Sequence, residues 1–241
     1  MTLLSGKGAL VTGGSRGIGR AVVERLAADG ATVVFSYLKD TAAAERVAKE
    51  TGAFAVRADM GDRADLDRLF AEAEARLPGV DILVNNAAET GQALIADVTD
   101  EIYERVFAVN ARATFLAVQW AGRVMRDGGR IVNVSTLNTE VAAPTMAVYQ
   151  ASKAAVEQFA MVAAREFGAR GITANTVLPG STDTDMLRAS NPPEALARSA
   201  AMTSLGRLGR PEDVAAVIAF LAGPDSGWVT GQTIRATGGL L

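Results

Sequence analysis

Thr12-Gly13-Gly14-Ser15-Arg16-Gly17-Ile18-Gly19 follows the apolar triplet Ala9-Leu10-Val11 and runs into an amphipathic stretch over 18–29. A glycine loop that ends a strand and opens a helix is the setting in which glycines bind nucleotides. Gly13 permits the tight turn, Gly17 lets backbone approach a phosphate, and Gly19 allows close helix packing. With Ser15, Arg16 and Ile18 they form a loop that predicts a pyrophosphate at the positive end of the helix. The plain alternative is a turn that only needs positive φ. Glycines four and then two residues apart form a pattern distinct from the general G-x-G-x-x-G fingerprint.

Beyond this loop, short apolar or β-branched runs at 9–11, 32–35, 54–56, 82–84, 131–134, 172–178 and 233–234 read as strands. Amphipathic stretches at 18–29, 41–50, 64–76, 101–125, 147–168 and 211–221 read as helices between them. The helix at 211 begins with proline and acids and ends at Gly223-Pro224, as capping preferences predict. Strands apolar throughout, alternating with helices, predict a Rossmann-like, doubly wound parallel sheet of about seven strands covered on both faces. The whole chain, 1–241, reads as one α/β domain. The one long irregular stretch is 181–210, interrupted by Asn191-Pro192-Pro193; in this architecture it is a candidate substrate lid.

Composition narrows the chemistry. Net charge −3 and a pI near 5.2 supply no basic field for nucleic acid or an anionic membrane surface. The longest apolar run, 214–222, is far short of a membrane span, and the reading is a soluble, cytoplasmic protein. The chain has no cysteine and no histidine, so thiolate nucleophiles, disulfides and the commonest metal ligands are missing and no metal site is expected. Proton transfer falls to Tyr, Lys, Asp or Glu.

Tyr149-Gln150-Ala151-Ser152-Lys153 offers such a pair. On a helix, an i, i+4 spacing puts both side chains on one face, where an ammonium favours the phenolate. A phenol of ordinary pKa about 10 then becomes an acid or base usable near neutral pH. Alone, the spacing is more often a solvated helix face.

Together, Thr12-Gly13-(x)3-Gly17-Ile18-Gly19, Asn85-Asn86-Ala87, Asn110, Tyr149-(x)3-Lys153 and Pro179-Gly180 resemble the classical short-chain dehydrogenases/reductases, nearly end to end. The resemblance implies NAD(P)-dependent oxidoreduction of a carbonyl/alcohol pair. It implies that Tyr149 protonates the developing alkoxide, that Lys153 lowers its pKa and binds the nicotinamide ribose, and that Asn110 holds a water of the proton relay. The family places a carbonyl-binding serine thirteen residues before its tyrosine; here that position is Thr136, which keeps the hydroxyl and adds a methyl. Ser135 is expected on the opposite face of the strand. Asp59, followed by Met60, matches the acid that meets the adenine amino group. Asn86 and Ala87 resemble the segment along the riboses, with Ala88 where glycine is usual. Beyond Pro179 and Gly180, Thr182 and Thr184 resemble the segment that bonds the carboxamide.

Cofactor choice turns on the end of the second strand, Phe35-Ser36-Tyr37-Leu38-Lys39, where no acid stands until Asp40. An acid there would accept from a ribose 2′-hydroxyl and repel a 2′-phosphate. Arg16, helped by Ser36 and Lys39, favours NADP(H), with NAD the less favoured alternative. The chain resembles 3-oxoacyl-carrier-protein reductases, which makes a carrier protein a candidate partner, with Arg170 as a docking cation and Asp127 opposing it. The substrate reads as a small-molecule carbonyl or alcohol. The helix at Pro211 with the strand through Gln232-Thr233-Ile234, and the helices at 101–125 and 147–168, resemble the family's two interface segments, which implies a homotetramer. The stripe of Val156, Phe159, Ala160 and Ala163 on the latter helix either joins that interface or faces the sheet. A dinucleotide-binding sensor or scaffold without turnover is the competing reading.

Overall fold

Seven parallel strands form one sheet in the computed structural model, which describes residues 2–240. They are β1 (Gly8–Val11), β2 (Thr32–Tyr37), β3 (Phe54–Arg57), β4 (Val80–Asn85), β5 (Met125–Val134), β6 (Thr173–Pro179) and β7 (Thr233–Ala236). Their order is β3-β2-β1-β4-β5-β6-β7, so the chain winds outward from β1 through β2 and β3, then returns to β4 on the other side. That reversal opens a crevice at the carboxyl ends of β1 and β4, where open α/β sheets take their ligands.

Alternation along the strands splits the core into two layers. Ala9 and Val11 join a cluster with α1 (Gly17–Ala28), α2 (Thr41–Thr51) and α9 (Pro211–Ala222), whereas Leu10 faces α3 (Arg63–Arg76), α5 (Ala113–Val124) and α6 (Ala147–Glu166). Both faces of the central strands are therefore covered, which is why those strands read as unbroken apolar runs. Helix starts follow local chemistry: Asp40, Asp62 and Thr99 accept from backbone N–H groups at the starts of α2, α3 and α4 (Asp100–Phe107).

Two elements differ from the sequence reading. The single helix expected at 101–125 is broken: α4 stops at Phe107, and a π turn, Ala108–Arg112, precedes α5. A π turn leaves carbonyls off the α ladder and is drawn to functional sites; here Asn110 sits in its middle. The stretch at 181–210 is also not irregular. It contains α7 (Asp185–Ser190), capped by Thr184, and α8 (Pro193–Met202), which begins at a proline. The Asn191-Pro192-Pro193 interruption is the break between these two helices. Among the described residues, no helix is long and apolar enough to cross a membrane.

Below the sheet, buried Asp81 accepts from Gly8 N–H at 2.9 Å and from Lys7 Nζ at 3.0 Å, tying the starts of β1 and β4 together. Asp81→Ala leaves a buried donor unpaired and should lower unfolding free energy by about 2–3 kcal/mol in urea titrations. Asp67→Ala breaks only an exposed pair with Arg63 and should cost less than about 1 kcal/mol. Equal losses would show that Asp81 does not hold this junction.

Candidate active site

The carboxyl ends of β1 and β4 are joined by short-range hydrogen bonds. Thr12 Oγ1 accepts from the N–H groups of Asn86 and Ala87 at 2.9 and 3.0 Å, and Asn86 Nδ2 donates to the carbonyls of Thr12 and Gly13 at 3.0 and 3.1 Å. The glycines are required by this packing. A Cβ on Gly19 would lie 2.1 Å from the Gly13 carbonyl oxygen, and Gly13 and Gly17 have φ of +70° and +53°. Unlike α2, α3 and α4, α1 starts with no side-chain cap, and, unlike α3 and α4, it has no acid in its first turn. Its leading N–H groups thus suit an anion, the chemistry that a dinucleotide pyrophosphate presents. Thr184 stands over this loop, its methyl 3.2 Å from where a Gly17 Cβ would sit.

At the other end of the crevice, Tyr149 and Lys153 project from α6 beside Thr136 at the end of β5. The Thr136 hydroxyl accepts from Asn138 N–H at 3.3 Å and lies near enough to the Tyr149 phenol to favour its ionised form. Lys153 is buried and donates to the Val134 carbonyl at 2.7 Å, with Nζ 6.0 Å from the Tyr149 ring centre. Burial pushes the Lys153 ammonium down to about 8, while the Glu157 carboxylate pulls in the opposite direction. Burial also raises the Tyr149 phenol, with the Thr136 hydroxyl opposing it. The lowered phenol expected from the sequence is therefore not what the chain alone produces, because desolvation outweighs what Thr136 returns and Lys153 is turned to Val134.

Asn110 joins this end through its side chain. Oδ1 accepts from Glu89 N–H at 2.8 Å, and Nδ2 donates to the Glu89 carbonyl and to Ser152 Oγ, both at 2.9 Å. Both N–H bonds of the amide are thus committed, and the Asn110 carbonyl accepts from Thr114 Oγ1 at 2.7 Å. Ser135 is turned away from Tyr149, as alternation predicts; its hydroxyl donates to Glu157 at 2.6 Å.

Several expected binding residues have other duties. Ser36 is buried, accepts from Gly13 N–H at 3.0 Å and donates to the Met60 sulfur at 3.5 Å, so it supports the glycine loop. The side chain at the strand's outer end is Tyr37, partly buried. Met60 is itself buried by its side chain. Thr182 is buried and donates to the Gly180 carbonyl at 3.0 Å, a turn contact at the end of β6 where Pro179 is buried too. Asn86 holds the loop with its amide, as described above. Arg170 is tied to Asp127 at 2.8 Å and to the Gly122 carbonyl at 2.7 Å, so it is not an isolated docking cation. Arg16 and Lys39 remain exposed, while Ser15, Ile18, Ala87 and Gly180 are partly buried, Ile18 packing against the core. Asp59 is bound by Arg105. Sequence reasoning missed Ser152, Glu89 and Arg105. Ser152 lies inside the Tyr149–Lys153 segment and carried a signal; Arg105 carried none.

A family model described as Enoyl-(Acyl carrier protein) reductase matches residues 13–241. The chain is similar to an uncharacterized oxidoreductase of Methylorubrum extorquens, at 40% identity over 247 residues and the full length of both. It is 42% identical over 234 residues to the cyclic-di-GMP-binding biofilm dispersal mediator protein of Escherichia coli K12, covering 96% of this chain and 95% of that one. The structure of the angucycline C-6 ketoreductase LanV with bound NADP superimposes with a TM-score of 0.94 at 43% identity, covering 100% of this chain and 97% of that one. With the doubly wound sheet and the crevice already in view, these matches define an oxidoreductase of the dinucleotide-binding class. The chain belongs to the short-chain dehydrogenase/reductase family.

The buried ammonium has a thermodynamic signature. Lys153 titrates at about 8 in the folded chain but near the ordinary 10.4 when unfolded. Between those values the unfolded state binds the extra proton, so this group makes stability rise with pH. Relative to the parent, Lys153→Met should therefore have a constant stability difference below about pH 7 that shifts in the parent's favour from about pH 8 to 10. Urea titrations of both proteins across that range check it. A difference flat through pH 10 would mean that Lys153 is not desolvated.

Proposed function

We propose that this chain is an NADP(H)-dependent oxidoreductase acting on a carbonyl/secondary alcohol pair, with Tyr149 as general acid/base. The observation that carries the reading is the placement of the Tyr149 ring centre 6.0 Å from Nζ of buried Lys153 on one helix face, with the Thr136 hydroxyl near the phenol, at the far end of the crevice from the glycine loop. Two hydroxyls converging suit one carbonyl oxygen. Thr136 polarises the carbonyl by donating to it, and Tyr149 gives its proton to that oxygen as the carbon becomes tetrahedral. NADPH, when bound, supplies the hydride that reaches the carbonyl carbon. The phenolate left on Tyr149 is stabilised by the Lys153 ammonium, and Lys153 and Tyr149 would hold the nicotinamide ribose when NADPH is bound. The proton returns to Tyr149 from solvent through a relay at Asn110. In the oxidative direction each proton step runs backwards.

Support for NADP(H) comes from exposed Arg16 at the loop, the lack of an acid at the end of β2, and LanV, which was crystallised with NADP. Arg16 would hold the 2′-phosphate, with Lys39 assisting, and Asp59 would take the adenine amino group. LanV's description as a ketoreductase favours a ketone substrate, and a 3-oxoacyl thioester on a carrier fits the same pair of hydroxyls. The stretch of α7 and α8 forms the substrate lid of a single domain working in the cytoplasm.

A homotetramer fits two exposed apolar faces. Phe115, Met161 and Val162 mark one on α5 and α6, and Phe220 and Trp228 another near α9. Of the stripe read from the sequence, Val156, Ala160 and Ala163 are buried within the subunit, and only Phe159 reaches outward, against Phe115 at 5.4 Å between ring centroids. Light scattering should report about four chains, since two isologous interfaces generate a D2 assembly. A stable, active monomer would refute it. The E. coli relative, described as binding cyclic di-GMP, favours a second reading, a dinucleotide sensor without turnover.

One assay separates these readings: NADPH oxidation against ketones, 3-oxoacyl thioesters and sugars, with a parallel cyclic di-GMP titration. Tyr149→Phe should lower kcat at least about 100-fold with NADPH affinity little changed, and Thr136→Val should be severe where Thr136→Ser is mild. Arg16→Ala should weaken kcat/KM for NADPH by about 1.5–3 kcal/mol and leave NADH nearly unaffected. Near-parental turnover by Tyr149→Phe sinks the mechanism. Cyclic di-GMP binding with no NADPH consumption across the panel establishes the sensor instead.

A further inference from the structure

Arg105, near the end of α4, belongs to none of the motifs above, yet it spans the crevice's two ends. Its Nη1 donates to both carboxylate oxygens of Asp59 at 2.9 and 3.0 Å, and its Nε donates to Glu89 Oε2 at 2.8 Å. On one side, Asp59 is fixed in the loop after β3, where its carboxylate accepts from Gly61 N–H and its own N–H donates to Asp65, both at 2.8 Å. Arg112, from the π turn, grips the same loop at the Gly61 carbonyl, 2.6 Å away. On the other side, Glu89 is the residue whose backbone N–H and carbonyl are both held by the Asn110 amide. From Asn110 the bonds run on to Ser152, whose hydroxyl donates to the Tyr149 carbonyl at 2.7 Å.

Resting on the catalytic reading of Tyr149, we propose that Arg105 is a positioning residue: its bridge between Asp59 and Glu89 sets the adenine end of the cleft and the proton-transfer end in one fixed relation. The physical case is that the two segments it joins, 58–62 and 86–91, lie beyond the ends of strands that are not neighbours in the sheet, so no ladder links them. The bridge is partly exposed, at 36% for Arg105 against 30% and 46% for its partners. Ion pairs of that exposure add little to global stability, so its consequence lies in geometry rather than in folding. Nη1 on Asp59 and Nε on Glu89 use two arms of the planar, forked guanidinium to hold two carboxylates at once; a lysine ammonium reproduces a point charge but not the fork. Without Arg105, the two carboxylates that it holds also face each other unneutralised.

The test uses the full chain with NADPH and whichever carbonyl of the panel is turned over. Arg105→Met should leave the melting temperature near the parental value, weaken NADPH binding in fluorescence titration by about 2- to 30-fold, and lower kcat by about 10-fold or more. Arg105→Lys should recover part of both. Glu89→Gln, which weakens only the arm toward Asn110, should lower kcat with a smaller effect on NADPH binding. The Arg105→Met/Glu89→Gln double variant should be no worse in kcat than Arg105→Met, as expected of residues in one network. Parental binding and kcat in a well-folded Arg105→Met would overturn the proposal, as would full additivity in the double variant. Tyr149→Phe run alongside keeps the two ideas separate. If that variant turns over normally, the catalytic reading fails while the NADPH-binding effect of Arg105→Met still decides the bridge.

Discussion

The hydrogen bonds between Thr12 and the Asn86-Ala87 backbone hold the ends of β1 and β4 at a fixed separation, and the active crevice depends on that spacing. Two strands that neighbour each other in the middle of a parallel sheet would ordinarily be followed by loops diverging to opposite faces. Here the side-chain oxygen of Thr12 accepts two N–H groups of the second loop, while the Asn86 amide returns two bonds to the first. Every group in this knot is half-buried or buried, so each bond removed would leave a desolvated polar partner. The glycine loop keeps its left-handed turns because the knot presses backbone against backbone at Gly13 and Gly19.

From that fixed point the chemistry is arranged by what the fold excludes from water. Lys153 is placed under the sheet's edge with a carbonyl for a partner, so its charge is costly and its proton loosely held. Tyr149 is desolvated beside it and on its own resists ionisation. Two groups both destabilised in their charged forms respond strongly to any ligand that bridges them, because the bridge supplies solvation that the protein withheld. The π turn serves the same end. It is the local price of turning Asn110 inward so that its amide can hold Glu89 and Ser152 together.

The lid and the exposed apolar faces lie at the periphery of this arrangement. Thr184 is fixed both as the cap of α7 and as a neighbour of Gly17, so the start of the lid is anchored to the glycine loop, while α8 beyond it has no fully buried residue. A segment with so little buried surface can rearrange at low cost.

The alternation of apolar strands with amphipathic helices was legible in the sequence because each element carries its own period, and a parallel sheet buried on both faces leaves no polar strand face to confuse it. Gly13, Gly17 and Gly19, and Tyr149 with Lys153, were legible because their spacing encodes a local geometry, a turn in one case and a helix face in the other. Thr136 was found by its distance from Tyr149, and Ser135 was correctly set aside by strand alternation. The burial of Ser36, Met60 and Thr182 was not legible, because a sequence position does not say which way a side chain points when a strand ends. The break in the helix at 101–125 was decided by the contacts of Asn110, whereas α7 and α8, which have no buried residue, follow from local signals, the Thr184 cap and the proline start at 193. What the sequence by itself determined was therefore the order of elements and the residues whose chemistry is set within one turn or one strand. The tertiary structure alone decided the protonation balance at Tyr149 and Lys153, the π turn at Asn110 and the Asp59–Arg105–Glu89 bridge, because each depends on partners distant in the chain and on how much water the fold removes between them.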